Sequence, residues 1–279
     1  MIGHLTARSI SRPIADTLRR RPFVAHLLAA FEQACDLVTP NGDVIAIVTA
    51  LIGDGPLNIL VDAGAAGTLG TVERDAQAEL AGDTLQVGGL KIALESALSW
   101  EPCPDWSALR ARLDTIRTNL PSLRAIALSH APEDSLLAAR DAVDYVILSE
   151  AKNLESGWKG DVARLQEAAA HLAGRGIGLT PAGDDLLAGL MLWAWLAHLN
   201  PEPLCHTLAE VAVPHTTTLS AAFLRSAARG ECDASWHRLL AVLSSDSAAQ
   251  LAPAIQRVMA HGATSGADML AGFMWLAGP

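Results

Sequence analysis

Two stretches of this chain repeat each other. Gly183, Asp185 and Gly189 recur as Gly266, Asp268 and Gly272, each pair 83 residues apart. At the same offset Leu187-Ala188 recurs as Leu270-Ala271, and Met191 as Met274. So many identities at one offset mark an internal repeat of a loop-to-helix unit. The C-terminal half must therefore hold two similar helix starts. The first copy is the richer: Gly174-Arg175-Gly176-Ile177-Gly178-Leu179-Thr180-Pro181-Ala182-Gly183-Asp184-Asp185.

The physics of a helix start governs the reading of that copy. Thr180 is placed to cap, and Pro181 suits the first helical position. Asp184 and Asp185 fall in the first turn, where carboxylates meet the positive end of the helix dipole. Glycines at 174, 176 and 178 allow backbone to approach a ligand closely. The N–H groups of such a start can hold phosphate or carboxylate. A plainer reading stands beside this one. The motif makes a well-capped helix, and Ala188, Gly189, Ala271 and Gly272 let two helices pack closely. Repetition and glycine density favour the ligand site. The motif is neither a dinucleotide fingerprint, since helix and not strand precedes it, nor a Walker A loop, since no Lys follows the glycines.

Two adjacent acids repel an anion unless one points away, binds a substrate amide or holds a metal. Asp185 is assigned to the site because it has a counterpart in Asp268. Asp184 aligns with Ala267 and is assigned to capping. The candidate catalytic residues are therefore Asp185 and Asp268. The candidate substrate-binding residues are Gly176, Gly178, Thr180, Gly183, Thr217, Ser265 and Gly266. Mg²⁺ is left open as a ligand of the acid pair.

Other motifs carry less. The segment from Pro214 to Ser220 is a second hydroxyl-rich helix start, which capping plus a surface His215 explains at least as well. Arg225 and Arg229 sit four apart and read more simply as a solvated face than as an anion site. His261 precedes the second copy as a candidate acid or base, although a lone His is more often structural. Gly53-Asp54-Gly55-Pro56 reads as a hairpin turn. No Ser-His-Asp order and no HExxH stand out.

The rest of the chain sets the frame. It has 279 residues, net charge −10 and 51% hydrophobic residues. That suits one large or two moderate domains with a sizeable core. The acidic balance argues against a nucleic-acid footprint. Cys35, Cys103, Cys205 and Cys232 are too scattered for a metal finger and read as free thiols. The first 23 residues lack a signal peptide's apolar stretch. The longest apolar run, 186–199, is too short to span a bilayer. It reads as a buried helix, and the expected location is the cytoplasm with no membrane contact.

Patterning predicts an α+β fold: a β-rich domain over 1–120 with flanking helices, then a helical domain over 121–279 carrying the Gly/Asp motifs. Strands are expected over 43–50 and 57–61, with a hairpin of 84–87 and 90–94 about Gly88-Gly89. Residues 14–37 read as partly helical and 64–70 as loop. An amphipathic helix over 106–120 is capped by Asp105 and stopped by Pro121. A short helix is expected over 136–143. The segment 147–157 breaks the pattern. It resembles the translation of an interspersed bacterial repeat and reads as a tolerated surface insertion. Further helices are expected near 161–173, 183–198, 203–212, 217–229, 234–244, 249–260 and 265–277.

Three groups of residues together carry a family resemblance. They are Gly178-Leu179-Thr180-Pro181-Ala182-Gly183-Asp184-Asp185-x-Leu187-x-Gly189, Thr217-x-Leu219-Ser220-Ala221-Ala222-x-Leu224, and Thr264-Ser265-Gly266-x-Asp268-x-Leu270-x-Gly272. The combination resembles a bacterial family of uncharacterised proteins that includes the H subunit of the three-part oxamate carbamoyltransferase of anaerobic allantoin catabolism. In the N-terminal half the resemblance rests on Gly53-x-Gly55-Pro56 alone. It implies a subunit of a carbamoyltransferase-type enzyme, working with other protein subunits on a small anionic substrate. A carbamoyl group would pass from carbamoyl phosphate to an amide such as oxamate. On that reading the loop from Gly176 to Gly183 cradles the anion, and Asp185 and Asp268 handle the amide or a cation. Two alternatives remain: a non-catalytic ligand-binding or scaffolding subunit, and a metal-dependent hydrolase of small amides.

Overall fold

A computed structural model describes residues 3–20, 22–62, 69–138, 154, 158, 161–247 and 249–277. The chain divides into two compact units, Met1–Pro102 and Cys103–Pro279.

The first unit is a closed β-barrel. Its strands are β1 (Gly3–Ser11), β2 (Val24–Ala30), β3 (Ala34–Val38), β4 (Val44–Val48), β5 (Asn58–Val61), β6 (Gln77–Ala81), β7 (Thr84–Val87), β8 (Leu90–Ala93) and β9 (Leu98–Trp100). Neighbours run β5-β4-β3-β2-β6-β7-β8-β1, and β1 pairs back onto β5, which closes eight strands into a barrel. β9 lies parallel to the end of β1. Alternation along each strand fills the interior: Cys35 and Leu37, Ile45 and Ile47, Ile59 and Val61, Leu85 and Val87 share one core. Helix α1 (Arg12–Arg19) adds Ile14 and Leu18 to it. An eight-stranded barrel is just wide enough to be filled by side chains, and this one is.

Several expectations for this region need correction. β4 and β5 are parallel, so Gly53-Asp54-Gly55-Pro56 is not a hairpin turn. The connection is pinned back onto the barrel instead: Ser9 donates its hydroxyl to Asp54, Ser11 to the Pro56 carbonyl, and Asn58 its amide to the Gly53 carbonyl. Residues 14–37, read as partly helical, hold α1 but also β2 and β3. The hairpin of β7 and β8 stands as expected.

The second unit is helical. It comprises α2 (Trp106–Ala111), α3 (Leu113–Ser129), α4 (Val162–Leu172), α5 (Ala182–Ala197), α6 (Pro201–Ala212), α7 (Thr218–Ala228), α8 (Ala234–Leu243), α9 (Leu251–Met259) and α10 (Ser265–Trp275). The seven helices expected after residue 160 all appear, within two or three residues of their predicted ends. The boundary expected at 120 falls inside α3. Asp105 caps α2 as predicted, accepting from the Ala108 N–H at 2.9 Å. Pro121 does not stop the next helix; it sits exposed within α3, which runs on to Ser129. Burial of Ile116, Leu120, Leu123 and Ala127 along one stripe offsets the roughly 3 kcal/mol an internal proline costs.

Helix α5 is the centre of the unit. Its 16 residues include 13 that are buried, and it contributes to two cores. Leu192, Trp193 and Leu196 join the core that also holds Trp236 and Phe273. Leu186, Leu187, Leu190 and Met191 join the core that holds Leu165 and Leu172. The run read as a buried helix is one, and Leu199 beyond its end is 93% exposed. Parts of the loop at 64–70, the short helix at 136–143 and the insertion at 147–157 lie outside the described residues. Leu154 is described, and it is fully buried in the second of these cores, so the segment is not wholly a surface insertion.

Candidate functional site

The repeat has a geometric meaning. A Cβ on Gly189 would lie 1.9 Å from the Met269 carbonyl oxygen, and one on Gly272 would lie 2.0 Å from that of Leu186. Leu186 and Met269 are themselves 83 residues apart, so the two contacts are equivalent. Helices α5 and α10 thus cross about a pseudo-two-fold, with backbone against backbone at both glycines. Gly183 and Gly266 repeat the theme at the helix starts. Each faces a carbonyl of the preceding helix, Leu172 at 2.1 Å and Val258 at 1.9 Å from the built Cβ. The close-packing reading of Gly189 and Gly272 therefore describes them, and Gly183 and Gly266, assigned to substrate binding, are packed in the same way.

Ahead of α5, the loop from Gly174 to Pro181 is braced from beneath. Arg175 donates its N–H to the Leu172 carbonyl at 3.0 Å, and Gly183 donates to the Arg175 carbonyl at 2.8 Å. Thr217 caps α7, accepting from the Ser220 N–H at 3.1 Å, and donates its hydroxyl to the Leu179 carbonyl at 2.5 Å. Gly176 and Gly178 have φ of 119° and 88°, the left-handed region that disfavours side chains. Gly176, Ile177, Gly178 and Leu179 are exposed, Ile177 at 95%.

The acids divide differently from expectation. Asp184 does not cap α5, whose N-cap residue is Pro181 without a side-chain bond. Its Oδ1 accepts from the Gly174 N–H at 3.0 Å and its Oδ2 from the Thr216 hydroxyl. It thereby ties the glycine loop to the start of α7. Thr180 does not cap either; its hydroxyl lies 2.8 Å from that of Ser265 at the start of α10. That bond joins the two copies of the repeat. Sequence order gave no sign of it, because the two hydroxyls are 85 residues apart.

Asp185 and Asp268 do come together. Asp268 is fully buried, and its Oδ1 accepts from the Leu136 N–H at 2.7 Å. Asp185 is 7% exposed and lies near the Ser265 hydroxyl. Burial raises the Asp185 carboxyl well above the usual range, the Ser265 hydroxyl works against this, and the charges of Asp268 and Asp184 add to the rise. Burial likewise raises Asp184, against the hydrogen bonds from Thr216, Gly174 and Ser220. The Oδ2 of Asp185 is buried and meets no hydrogen-bond partner among the described residues. A buried polar oxygen left so costs about 1–3 kcal/mol, which a bound partner would relieve.

The remaining candidates sort themselves by their contacts. The N–H groups of Gly183 and Gly266 are spent on the Arg175 and His261 carbonyls. Neither is left for an anion. Arg229 forms a two-pronged pair with the Glu231 carboxylate at 2.7 and 2.8 Å, while Arg225 is exposed. His261 lies 3.8 Å from Asp233, the cap of α8, and 3.4 Å from the Ser235 hydroxyl. His215 is exposed. The four cysteines are free thiols, three of them buried. Among the described residues no group of three or more His, Cys, Asp or Glu side chains gathers as a metal site. No helix among them is long and apolar enough to cross a membrane.

Residues 172–277, which hold both copies of the repeat and the crossing of α5 with α10, match the family model for oxamate carbamoyltransferase subunit AllH. Over that stretch the helical unit is similar to the family. The match starts at the last residue of α4 and runs past the end of α10, so it takes in every candidate site residue. The AllH family is named for a subunit of an enzyme. No solved structure matches the chain.

Proposed function

We propose that this chain is the subunit of a carbamoyltransferase that holds the acceptor amide, an oxamate-like molecule, at the junction of α5 and α10. The observation that carries this is the buried Asp185 oxygen without a partner, fixed beside Ser265. The family description supports the reaction class. The amide NH2 donates to Asp185, which orients the nitrogen and takes its proton as it attacks the carbonyl carbon of carbamoyl phosphate. The C–N bond forms, the carbonyl carbon's bond to the phosphate oxygen breaks, and phosphate leaves. The exposed turn from Gly176 to Leu179 supplies backbone N–H groups to an anionic end, as alternating left-handed glycines allow. Asp268 adds negative charge behind Asp185 and strengthens its pull on the N–H. Thr180, Ser265 and Thr217 keep the loop and both helix starts in register.

Thermal-shift and calorimetric titrations with oxamate, carbamoyl phosphate, phosphate and Mg²⁺ test this on wild type and Asp185→Ala. Oxamate or carbamoyl phosphate is expected to stabilise the wild type, and the variant is expected to lose the effect while staying folded. Stabilisation by Mg²⁺ alone, lost in the variant, would instead favour a metal-dependent amide hydrolase.

A further inference from the structure

The two copies of the repeat differ in length just ahead of their helices. In each, an N–H bonds back to the carbonyl three residues before it: Arg175 to Leu172 at 3.0 Å and His261 to Val258 at 3.1 Å. The carbonyls of Arg175 and His261 then accept from the N–H groups of Gly183 at 2.8 Å and Gly266 at 3.1 Å. Seven residues lie between Arg175 and Gly183, but only four between His261 and Gly266. Four residues therefore suffice to start a helix in this packing. The first copy puts its extra length into the exposed turn from Gly176 to Leu179. We infer that Thr216 and Asp184 are positioning residues for that turn, setting from the start of α7 the shape in which it meets an anion. The inference rests on the turn's role in the proposed function and adds the residues that give the turn its shape.

Three consecutive residues, His215, Thr216 and Thr217, grip both ends of the turn. At the near end a Cβ on Gly174 would lie 2.3 Å from the His215 carbonyl oxygen, so backbone meets backbone there. Gly174 also donates its N–H to the Asp184 Oδ1 at 3.0 Å, and Thr216 holds the Asp184 Oδ2. At the far end Thr217 donates its hydroxyl to the Leu179 carbonyl at 2.5 Å. Asp184 is 1% exposed, so packing fixes it as well as its bonds. The brace works with either charge state of Asp184. Its Oδ1 accepts from Gly174 in both, and a hydroxyl can give or take the hydrogen bond to Oδ2. Between the anchors, Gly176 and Gly178 take left-handed backbone that leaves room for a ligand against the chain. A turn already held in its bound shape binds without the cost of ordering it.

The test is calorimetric titration of the full-length chain with oxamate and with inorganic phosphate, for wild type, Thr216→Val, Thr216→Ser and Asp184→Asn. Valine removes the hydroxyl at a half-buried position and keeps the branching, and serine restores the hydroxyl. Thr216→Ala gives the same reading should the valine variant not fold. Asparagine keeps both bonds, its carbonyl oxygen accepting from Gly174 and its NH2 donating to Thr216. Thr216→Val is expected to bind each anion that the wild type binds roughly tenfold more weakly, with Tm close to wild type. Thr216→Ser and Asp184→Asn are expected to stay within about threefold of wild type. If folded Thr216→Val binds as tightly as wild type, the positioning role is wrong and the proposed function stands. The same holds if Thr216→Ser or Asp184→Asn loses as much affinity as the valine variant, because the bonds of the brace would then not be what matters. If wild type binds neither anion, the proposed function falls and this inference with it.

Discussion

Asp36 shows what a single buried acid does when no function claims it. It lies on β3 between Cys35 and Leu37, which point into the barrel, so its own side chain points away from that interior. It is nonetheless 5% exposed, and burial pushes its carboxyl from 3.8 up to about 6. The folded state therefore holds this proton more tightly than the unfolded chain. The resulting stabilisation is complete below about pH 3.8 and is lost as pH rises through about 6. Urea unfolding of wild type and Asp36→Asn at a series of pH values should show the difference. Relative to wild type, the variant should gain roughly 3 kcal/mol between pH 4 and pH 7, or a large part of it. A constant difference across that range would show that Asp36 is solvated. Asp185 is raised in the same direction, and its Oδ2 is buried with no hydrogen-bond partner among the described residues. Residue type and spacing singled out Asp185 and its echo Asp268. They could not show that Asp184 is tied to Thr216 or that Thr180 reaches Ser265, because such partners are chosen by tertiary packing.

Helix crossing is the element-scale event on which the site depends. Gly189 and Gly272 let α5 and α10 touch through their backbones, and this sets where Asp185 and Asp268 stand. Gly189→Ala would force a Cβ to within 1.9 Å of a carbonyl oxygen that cannot swing away. The expected cost is about 3 kcal/mol or more, seen as a large fall in melting temperature or loss of soluble protein. Gly178→Ala is the control. No atom lies within 4 Å of its Cβ, so only the left-handed backbone is penalised, by about 1–2 kcal/mol. Equal losses in the two variants would contradict the crossing. The helices were legible in the sequence because capping residues and apolar stripes are local signals. Asp161, Thr217 and Asp233 each accept a backbone N–H at the start of the helix that follows. Much of the barrel was not legible. Its inward positions include Ala7, Ala25 and Ala78, too small to make alternation stand out, and β2 reads Val-Ala-His-Leu-Leu-Ala-Ala. Closure of β1 onto β5 links residues about fifty apart, and no turn signal announces it. Pro121 misled for a related reason: a stripe that continues past a proline is rewarded only once its partners are in place.

At the scale of the whole molecule, the two units carry different burdens. The barrel fills its own interior with side chains. Both units bury polar side chains, among them Asp36 and Asn58 in the barrel, and the helical unit places Asp184, Asp185 and Asp268 at the meeting of its repeats. The α+β architecture followed from the contrast between β-branched runs in one half and Ala/Leu-rich helices in the other. The repeat singled out the helix starts of α5 and α10, and the partners of their polar groups became visible only with the packing. The most direct test of the central claim is a crystal structure of the chain with oxamate. The amide nitrogen should lie within hydrogen-bond distance of the Asp185 Oδ2, with the carboxylate end towards the turn from Gly176 to Leu179. Oxamate bound elsewhere, with the Asp185 oxygen met only by water or by protein, would contradict the account.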